Sequence, residues 1–327
     1  MNTRKLGTLE VSEVGLGCMG MHHAYGAPRD EKEMEKLIHK AVDLGITFFD
    51  TAELYEAKGQ PHGNELLVGR ALAPYRGKVK IATKFGLASN ENHELLADSR
   101  PETVRKSVEG SLQRLGVDCL DLYYQHRVDP KIPVEEVALT MAELIKEGKI
   151  AHWGMCEANA EQIRKAHAVC PLTAVQNRYS MMARWHESLF PVLEELGIGY
   201  VAFSPLANGF LSAKYNSNSQ FDGVSDYRSI MPQFTGEGVD QNQELLALLH
   251  RMAKEKDATS AQISLAWMLC KKPYLVPIPG SRKVERMQEN ADAANVVLTA
   301  EEVKSLDEAL DTMEMSDVFG GSQIKKN

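Results

Sequence analysis

A (β/α)8 barrel with an N-terminal β-hairpin and a long loop after its seventh strand is the fold class this sequence predicts, on three observations. Short apolar runs alternate with segments of helical periodicity eight times over. The 327 residues leave room for one large α/β unit with a substantial core. Ionisable side chains collect where the apolar runs end, as they do at the C-terminal face of such a barrel. Residues 1–327 read as one domain, because no linker or internal repeat separates two cores.

Residues 3–13 set Gly7-Thr8 between two short alternating segments, the pattern of a hairpin. Strand-like runs follow near 14–18, 46–51, 79–84, 119–126, 150–156, 173–177, 199–204 and 274–278. Helical patterns near 30–45, 64–73, 101–115, 134–147, 159–169, 187–197 and 241–271 separate them, with a further helix near 283–293. Pro101-Glu102 opens one helix with an acidic first turn, and Lys146-Glu147-Gly148 closes another with a cation and a glycine. Residues 206–239, rich in Gly, Ser, Asn and Asp, interrupt the alternation and would overhang the active face. The tail after about residue 311, with Gly320-Gly321 and a Lys-Lys ending, reads as partly mobile. Gly15-x-Gly17-x-x-Gly20 fits the dinucleotide fingerprint literally, but Met21 to Pro28 is loop-like where that fingerprint requires a helix. Those glycines are read as a barrel strand end that makes room for substrate or cofactor.

Hydrophobic content of 43% and charged content of 25% are those of an ordinary globular protein. A net charge of −8 argues against a nucleic-acid or anionic-membrane partner. The N-terminus lacks the apolar core of a signal peptide and no apolar run is long enough to span a bilayer, so the cytoplasm is the expected location. Cys18, Cys119, Cys156, Cys170 and Cys270 are odd in number and widely spaced, which suggests reduced thiols. His22, His23 and His62 match no common ligand spacing, so no metal is expected and loop histidines near a substrate are the better reading.

The run Phe48-Phe49-Asp50-Thr51-Ala52-Glu53-Leu54-Tyr55-Glu56 ends an apolar strand in a dense group of ionisable residues. Asp50 falls where the strand leaves the core, and a carboxylate there needs a partner. The next runs deliver Lys84 and His126 to corresponding ends. A phenol's ordinary pKa of about 10 is too high for efficient proton exchange near neutrality. A lysine about 4 Å away, at an effective dielectric of about 20, favours phenolate by roughly 4 kcal/mol, or about three pKa units. Lys84 is therefore expected to acidify Tyr55, with Asp50 returning part of that shift and holding Lys84 charged and aimed. His126 suits hydrogen bonding to a carbonyl oxygen. Taken singly, each of the four is better read as a strand-end salt bridge or a core histidine; together they favour a site that donates a proton to a carbonyl as hydride arrives. Glu53 reads as a solvated or helix-facing carboxylate. Arg127, directly after His126, either biases the pocket towards anionic substrates or pairs with Asp129.

Leu6-Gly7, Gly15-Leu16-Gly17-Cys18-Met19-Gly20, the Asp50–Tyr55 run, Thr83-Lys84-Phe85-Gly86 and Tyr123-Tyr124-Gln125-His126 occur in this order. Gln176-Asn177-Arg178-Tyr179-Ser180, Phe203-Ser204-Pro205-Leu206, Ile278-Pro279-Gly280-Ser281-Arg282 and Glu289-Asn290 continue the series. Over nearly its whole length the chain resembles the aldo/keto reductase family. That resemblance implies a barrel, NADPH as hydride donor, and Tyr55 as acid assisted by Asp50, Lys84 and His126. It implies a nicotinamide carboxamide near Gln176 and the Cys156-Glu157 pair, with Phe203 against the ring. Ser204, Pro205, Leu206 and Gly209 would follow the cofactor beneath the 206–239 loop, and Glu289 and Asn290 would bind the adenine. Relatives usually carry serine where Cys156 stands, so its hydrogen bond would be weaker here. Gly280-Ser281-Arg282-Lys283 leads into a helix carrying Arg286, and that convergence of N–H groups, a hydroxyl and cations suits the extra phosphate of NADP(H). The expected function is reduction of an aldehyde or ketone, a small-molecule carbonyl, to the alcohol. Sugar-derived aldehydes, pyridoxal-like compounds, methylglyoxal and aromatic ketones all stay open, as does a homo-oligomer. The rival readings are a cofactor-sensing regulatory subunit with slow residual reductase activity, as in the potassium-channel β-subunits that resemble this family, and a metal-dependent barrel hydrolase using Asp50 and His126.

Overall fold

Side chains alternate across a strand, so each barrel strand sends every second residue inward and the others towards the helices. In this computed structural model, which describes residues 1–57, 59–89, 94–223 and 225–318, that rule divides the core in two. The N-terminal hairpin comprises β1 (Thr3–Leu6) and β2 (Leu9–Ser12). Barrel strands are β3 (Leu16–Gly17), β4 (Phe48–Asp50) and β5 (Lys80–Phe85). A second small hairpin, β6 (Leu87–Ser89) and β7 (Leu95–Ala97), precedes β8 (Leu122–Gln125), β9 (Trp153–Cys156), β10 (Ala174–Arg178), β11 (Gly199–Phe203) and β12 (Leu275–Pro277). The eight barrel strands pair in parallel in the order β12-β11-β10-β9-β8-β5-β4-β3. A bridge between Gly17 and Gly280, and a bond from the Gly15 N–H to the Pro277 carbonyl at 2.9 Å, close the ends into a (β/α)8 barrel.

Phe48, Ala82, Leu122, Tyr124, Ala174, Val201 and Val276 point inward, and Leu6, Leu9 and Val11 of the hairpin plug that interior from the base. The alternate residues Phe49, Ile81, Tyr123, Val175 and Tyr200 pack outward into the larger cluster shared with the helices. Gly199 permits the plug, because a Cβ there would lie 2.5 Å from the Leu6 Cα.

The helical shell is α1 (Glu31–Asp43), α2 (Gly63–Leu72), α3 (Pro101–Leu115), α4 (Val134–Lys146) and α5 (Ala160–Val169). It continues with α6 (Phe190–Leu196), α7 (Gly236–Gln241), α8 (Gln243–Glu255), α9 (Ser260–Lys271), α10 (Val284–Asp292) and α11 (Ala300–Thr312). Four expectations need correcting. The long helical pattern near 241–271 is two helices, because Asp257 takes φ +50° and Thr259 starts α9 with a capping box to Gln262. Helix α11 was not anticipated, although Thr299 and Glu302 form the same box at its start. Residues 206–239 are not a structureless loop: 3₁₀ turns at Ala207–Ser212, Tyr227–Ile230 and Pro232–Phe234 lead into α7, and Phe210, Phe221 and Phe234 pack into the core. The Gly15 and Gly17 positions make room for protein rather than for a ligand, since a Cβ on Gly17 would meet the Ile278 carbonyl at 2.7 Å and one on Gly15 the Phe48 ring at 2.8 Å. Met313, Met315 and Val318 pack against the core beyond α11, and the Gly320-Gly321 and Lys-Lys tail lies outside the described residues.

Candidate active site

The inward register that fills the barrel with apolar side chains delivers polar ones at its top layer. Asp50 follows Phe48, Lys84 follows Ala82, His126 follows Leu122 and Tyr124, and Gln176 and Arg178 follow Ala174. Lys84 is fully buried and donates three bonds, to Asp50 Oδ1 at 2.5 Å, to the Thr51 carbonyl at 2.8 Å and to the Tyr55 hydroxyl at 3.3 Å. These use all the donors of an ammonium. Tyr55 lies on the turn after β4, fixed by bonds from its N–H to the Ala52 carbonyl and from the Glu53 N–H to the Lys84 carbonyl. His126 meets the Tyr55 ring edge-on at 5.7 Å, and its buried Nδ1 has no partner among the described residues.

Burial pulls the Lys84 pKa down, but the Asp50 carboxylate and the Tyr55 phenol outweigh it and hold the lysine above its ordinary value. Burial raises Asp50, against Lys84 and Gln176. The expected acidification of Tyr55 is not what the environment gives: burial raises the phenol, Lys84 offsets only part of that, and Asp50 adds to the rise. The Coulomb argument counted the lysine and left out the desolvation of the phenolate. Tyr55 therefore stands as a protonated donor. Burial first, then Arg127, Lys84 and His23, push His126 well below the imidazole range, so it is neutral.

Gln176 is brought into the same cluster by its Nε2, which donates to Asp50 Oδ2 at 2.7 Å. Cys156 is buried beside it, a thiol whose pKa burial pushes up to about 12. Glu157 takes φ +54°, accepts the Arg178 N–H at 2.7 Å and faces His186 at 3.6 Å. The ring of Phe203 carries two guanidinium groups, those of Arg178 at 5.1 Å and Arg127 at 5.9 Å. Arg127 does not pair with Asp129, whose oxygens accept the Ser99 and Lys131 N–H groups; it donates to the His126 carbonyl at 2.7 Å.

After β11 the chain turns through Ser204, buried Pro205 and half-buried Leu206, with Ser204 at φ +50° and Gly209 at φ +99°. The β12 end is arranged differently from the sequence reading. Arg282 donates to the carbonyls of Tyr25 and Ala27, and the Ser281 hydroxyl is bonded within its own turn to Lys283. Gly280 serves the barrel seam. Arg286 and Lys214 both bind the Glu289 carboxylate, while Asn290 is buried nearby on α10. His23 stacks on Tyr55 at 6.2 Å and is itself met by Tyr227 at 5.6 Å, so the face above the phenol is covered. Glu53, read as a solvated or helix-facing carboxylate, faces the helix: it accepts bonds from the Gly86 N–H and from the hydroxyl of Ser107 on α3. Sequence reading gave no role to Thr51, whose carbonyl holds Lys84, because a backbone acceptor leaves no residue-type signal. Among the described residues no cluster of three or more His, Cys, Asp or Glu side chains is arranged to hold a metal, and no helix is long and apolar enough to cross a membrane.

A closed parallel barrel with its buried ionisable cluster at the strand C-termini belongs to the TIM-barrel class. The sequence model of the Aldo/keto reductase family matches residues 13–311, and the chain belongs to that family of oxidoreductases. A probable aldo-keto reductase from Glycine max is 41% identical over 323 residues, covering 97% of this chain and 90% of that one. The solved glycerol dehydrogenase of Gluconobacter oxydans superposes with a TM-score of 0.86 at 29% identity and covers 98% of each chain. An aldo-keto reductase from Bacillus halodurans, in its holo form, superposes at 0.76 with 26% identity, over 100% of this chain and 98% of that one.

Proposed function

We propose that this chain, acting as one domain along its length, uses NADPH to reduce aldehydes or ketones to alcohols, with Tyr55 giving the proton. The observation that supports this most is the buried Lys84 ammonium, held by Asp50 and the Thr51 carbonyl and donating its third bond to the Tyr55 hydroxyl. That bond polarises the phenol and stabilises the negative charge that develops on its oxygen as the proton leaves. Asp50 keeps Lys84 charged in a dry site, and Gln176 keeps Asp50 aimed. Neutral His126, with an unpartnered ring nitrogen beside Tyr55, can hydrogen-bond the carbonyl oxygen that takes the proton.

A bound nicotinamide dinucleotide would supply the hydride. Gln176, Cys156, Glu157 and Phe203 would hold its reactive end, and Ser204, Pro205, Leu206 and Gly209 its middle. At the far end Gly280, Ser281, Arg282, Arg286, Glu289 and Asn290 are the candidates. The donor set fits the group in kind, since a hydroxyl, two guanidiniums and the Lys283 ammonium follow one another along one loop and helix start, a chemistry suited to a phosphate monoester once Arg282 leaves the Tyr25 and Ala27 carbonyls. Five unpaired cysteines, two of them exposed, support a reducing, cytoplasmic setting.

The test is a substrate panel assayed with NADPH on the wild type and on Tyr55→Phe. The variant is expected to lose at least about 10²-fold in kcat/KM, the scale of a positioned proton donor, while binding NADPH with nearly wild-type affinity. Undiminished turnover would remove Tyr55 from the role, and no turnover of any aldehyde by the wild type would remove the proposed activity.

A further inference from the structure

Among the described residues, two arginines at the barrel mouth form no ion pair with a carboxylate. We propose that Arg127 and Arg178, packed on the ring of Phe203 beside His126, form a subsite for the carboxylate or phosphate of an anionic carbonyl substrate. The proposal rests on the reductase reading above and adds the substrate class to it.

Arg178 is the last residue of β10 and the register partner of Phe203 at the end of β11, and its guanidinium covers that ring at 5.1 Å. By the inward alternation it follows Gln176, the residue bonded to Asp50. Arg127 reaches the same ring at 5.9 Å from the end of β8, directly after His126. Two guanidiniums on one aromatic ring repel each other, and Arg178 is only 4% exposed, so water screens the repulsion poorly. Buried cations are ordinarily paired. Arg114 and Arg228 follow that rule elsewhere in the chain, through Glu65 and Asp226.

Here the rule fails. Among the described residues neither Arg127 nor Arg178 makes an ion pair with a carboxylate. Glu157, the carboxylate coupled to both, accepts the Arg178 N–H and faces His186 rather than either guanidinium. Asp129 is spent on the Ser99 and Lys131 N–H groups. Among the described residues the Arg127 guanidinium has one bond, to the His126 carbonyl, and that of Arg178 one, a 3.3 Å contact to the Asn208 amide oxygen, leaving its buried Nε with no partner. Burial lowers the Arg178 pKa by more than Tyr25 and Glu157 raise it, and the neighbouring Arg127 adds to the fall. A planar anion placed between the two forks would satisfy the spare donors and cancel the repulsion. Because His126 joins this pair to Tyr55, the anion would sit on the same molecule as the reacting carbonyl.

The decisive comparison uses 4-carboxybenzaldehyde and benzaldehyde at saturating NADPH, with the wild type, Arg127→Gln and Arg127→Lys. The wild type should favour the carboxylated aldehyde. Arg127→Gln should lower its kcat/KM about 10- to 100-fold more than that of benzaldehyde, the worth of a charge-assisted contact, chiefly through KM. Arg127→Lys should recover part of the preference, because the charge returns without the fork. Terephthalate binding by calorimetry reads the subsite without turnover and should weaken by a similar factor in Arg127→Gln. The proposal is overturned if both aldehydes fall equally, if terephthalate does not bind the wild type, or if the loss falls on NADPH affinity, which would assign the arginines to the dinucleotide's phosphates. Good turnover of benzaldehyde with no carboxylate preference ends the subsite and leaves the reductase standing. Terephthalate binding without turnover of either aldehyde does the reverse.

Discussion

At the scale of single residues, the site is governed by what burial does to charge. Lys84 and Asp50 are both almost inaccessible, so removing one leaves the other without compensation. Lys84→Met should destabilise the fold by about 3–5 kcal/mol, seen as a shift of the urea midpoint, and Lys84→Met combined with Asp50→Asn should recover much of that loss. His126 gives a pH dependence of known sign. Its folded pKa is depressed while the unfolded histidine titrates near about 6.5, so below that pH the unfolded chain binds the extra proton and stability falls as pH falls. His22 and His23, both lowered by burial, act in the same direction. His126→Gln should flatten the loss of melting temperature between pH 6.5 and 5, by up to about 1.4 kcal/mol per pH unit at the steepest; an unchanged acid limb would show that His126 is protonated in the native state. These four residue types at three strand ends were legible in the sequence, because alternation and strand ends can be read from hydropathy. The direction of the Tyr55 shift was not, because desolvation depends on what covers a side chain, and His23 and Tyr227 come from distant segments.

At the scale of elements, the barrel depends on its weakest seam. Strand β3 is only two residues long, and a single bridge with one adjacent bond joins it to the β12 end. A Cβ at Gly17 would press on the Ile278 backbone, which cannot rotate away as a side chain would. Gly17→Ala should cost roughly 1–3 kcal/mol, as overpacking does, measured by urea unfolding, whereas Gly77→Ala, where a Cβ meets nothing within 4 Å, should show only the smaller penalty of its positive φ. The sequence located these glycines and assigned them to a ligand, since a close backbone approach looks the same in sequence whichever partner approaches. Helix α11 failed to register for another reason: only Leu306 and Leu310 are deeply buried on it, so its apolar stripe is thin, and the Thr299–Glu302 capping box was the one available signal.

At the scale of the whole molecule, the segment after β11 crosses the mouth as a strap pinned by Arg228. That guanidinium pairs with Asp226, donates to the Tyr215 hydroxyl, and lies over the rings of Tyr25, Tyr215 and Phe221 at 5.4, 5.4 and 4.5 Å. The strap is tied to the loop after β3 by bonds from the Tyr227 N–H to the Ala24 carbonyl and from the Gly26 N–H to the Ser225 carbonyl. Arg228→Met should loosen it and raise the dissociation rate of a bound nicotinamide dinucleotide several-fold, followed by stopped-flow fluorescence; an unaltered rate would show that the strap does not gate release. Composition marked this segment as irregular, and the aromatic residues Tyr215, Phe221 and Phe234 that order it carry no periodicity to reveal their partners. Arg282 belongs to the same closure, since it holds the Tyr25 and Ala27 carbonyls. An anion that takes this side chain has to evict the chain's own oxygens, so the free protein competes with its ligand and the observed affinity is the intrinsic one scaled by the fraction of molecules already open. Arg282→Ala would then remove a rival and a host at once, and the affinity it loses would understate the strength of the contact.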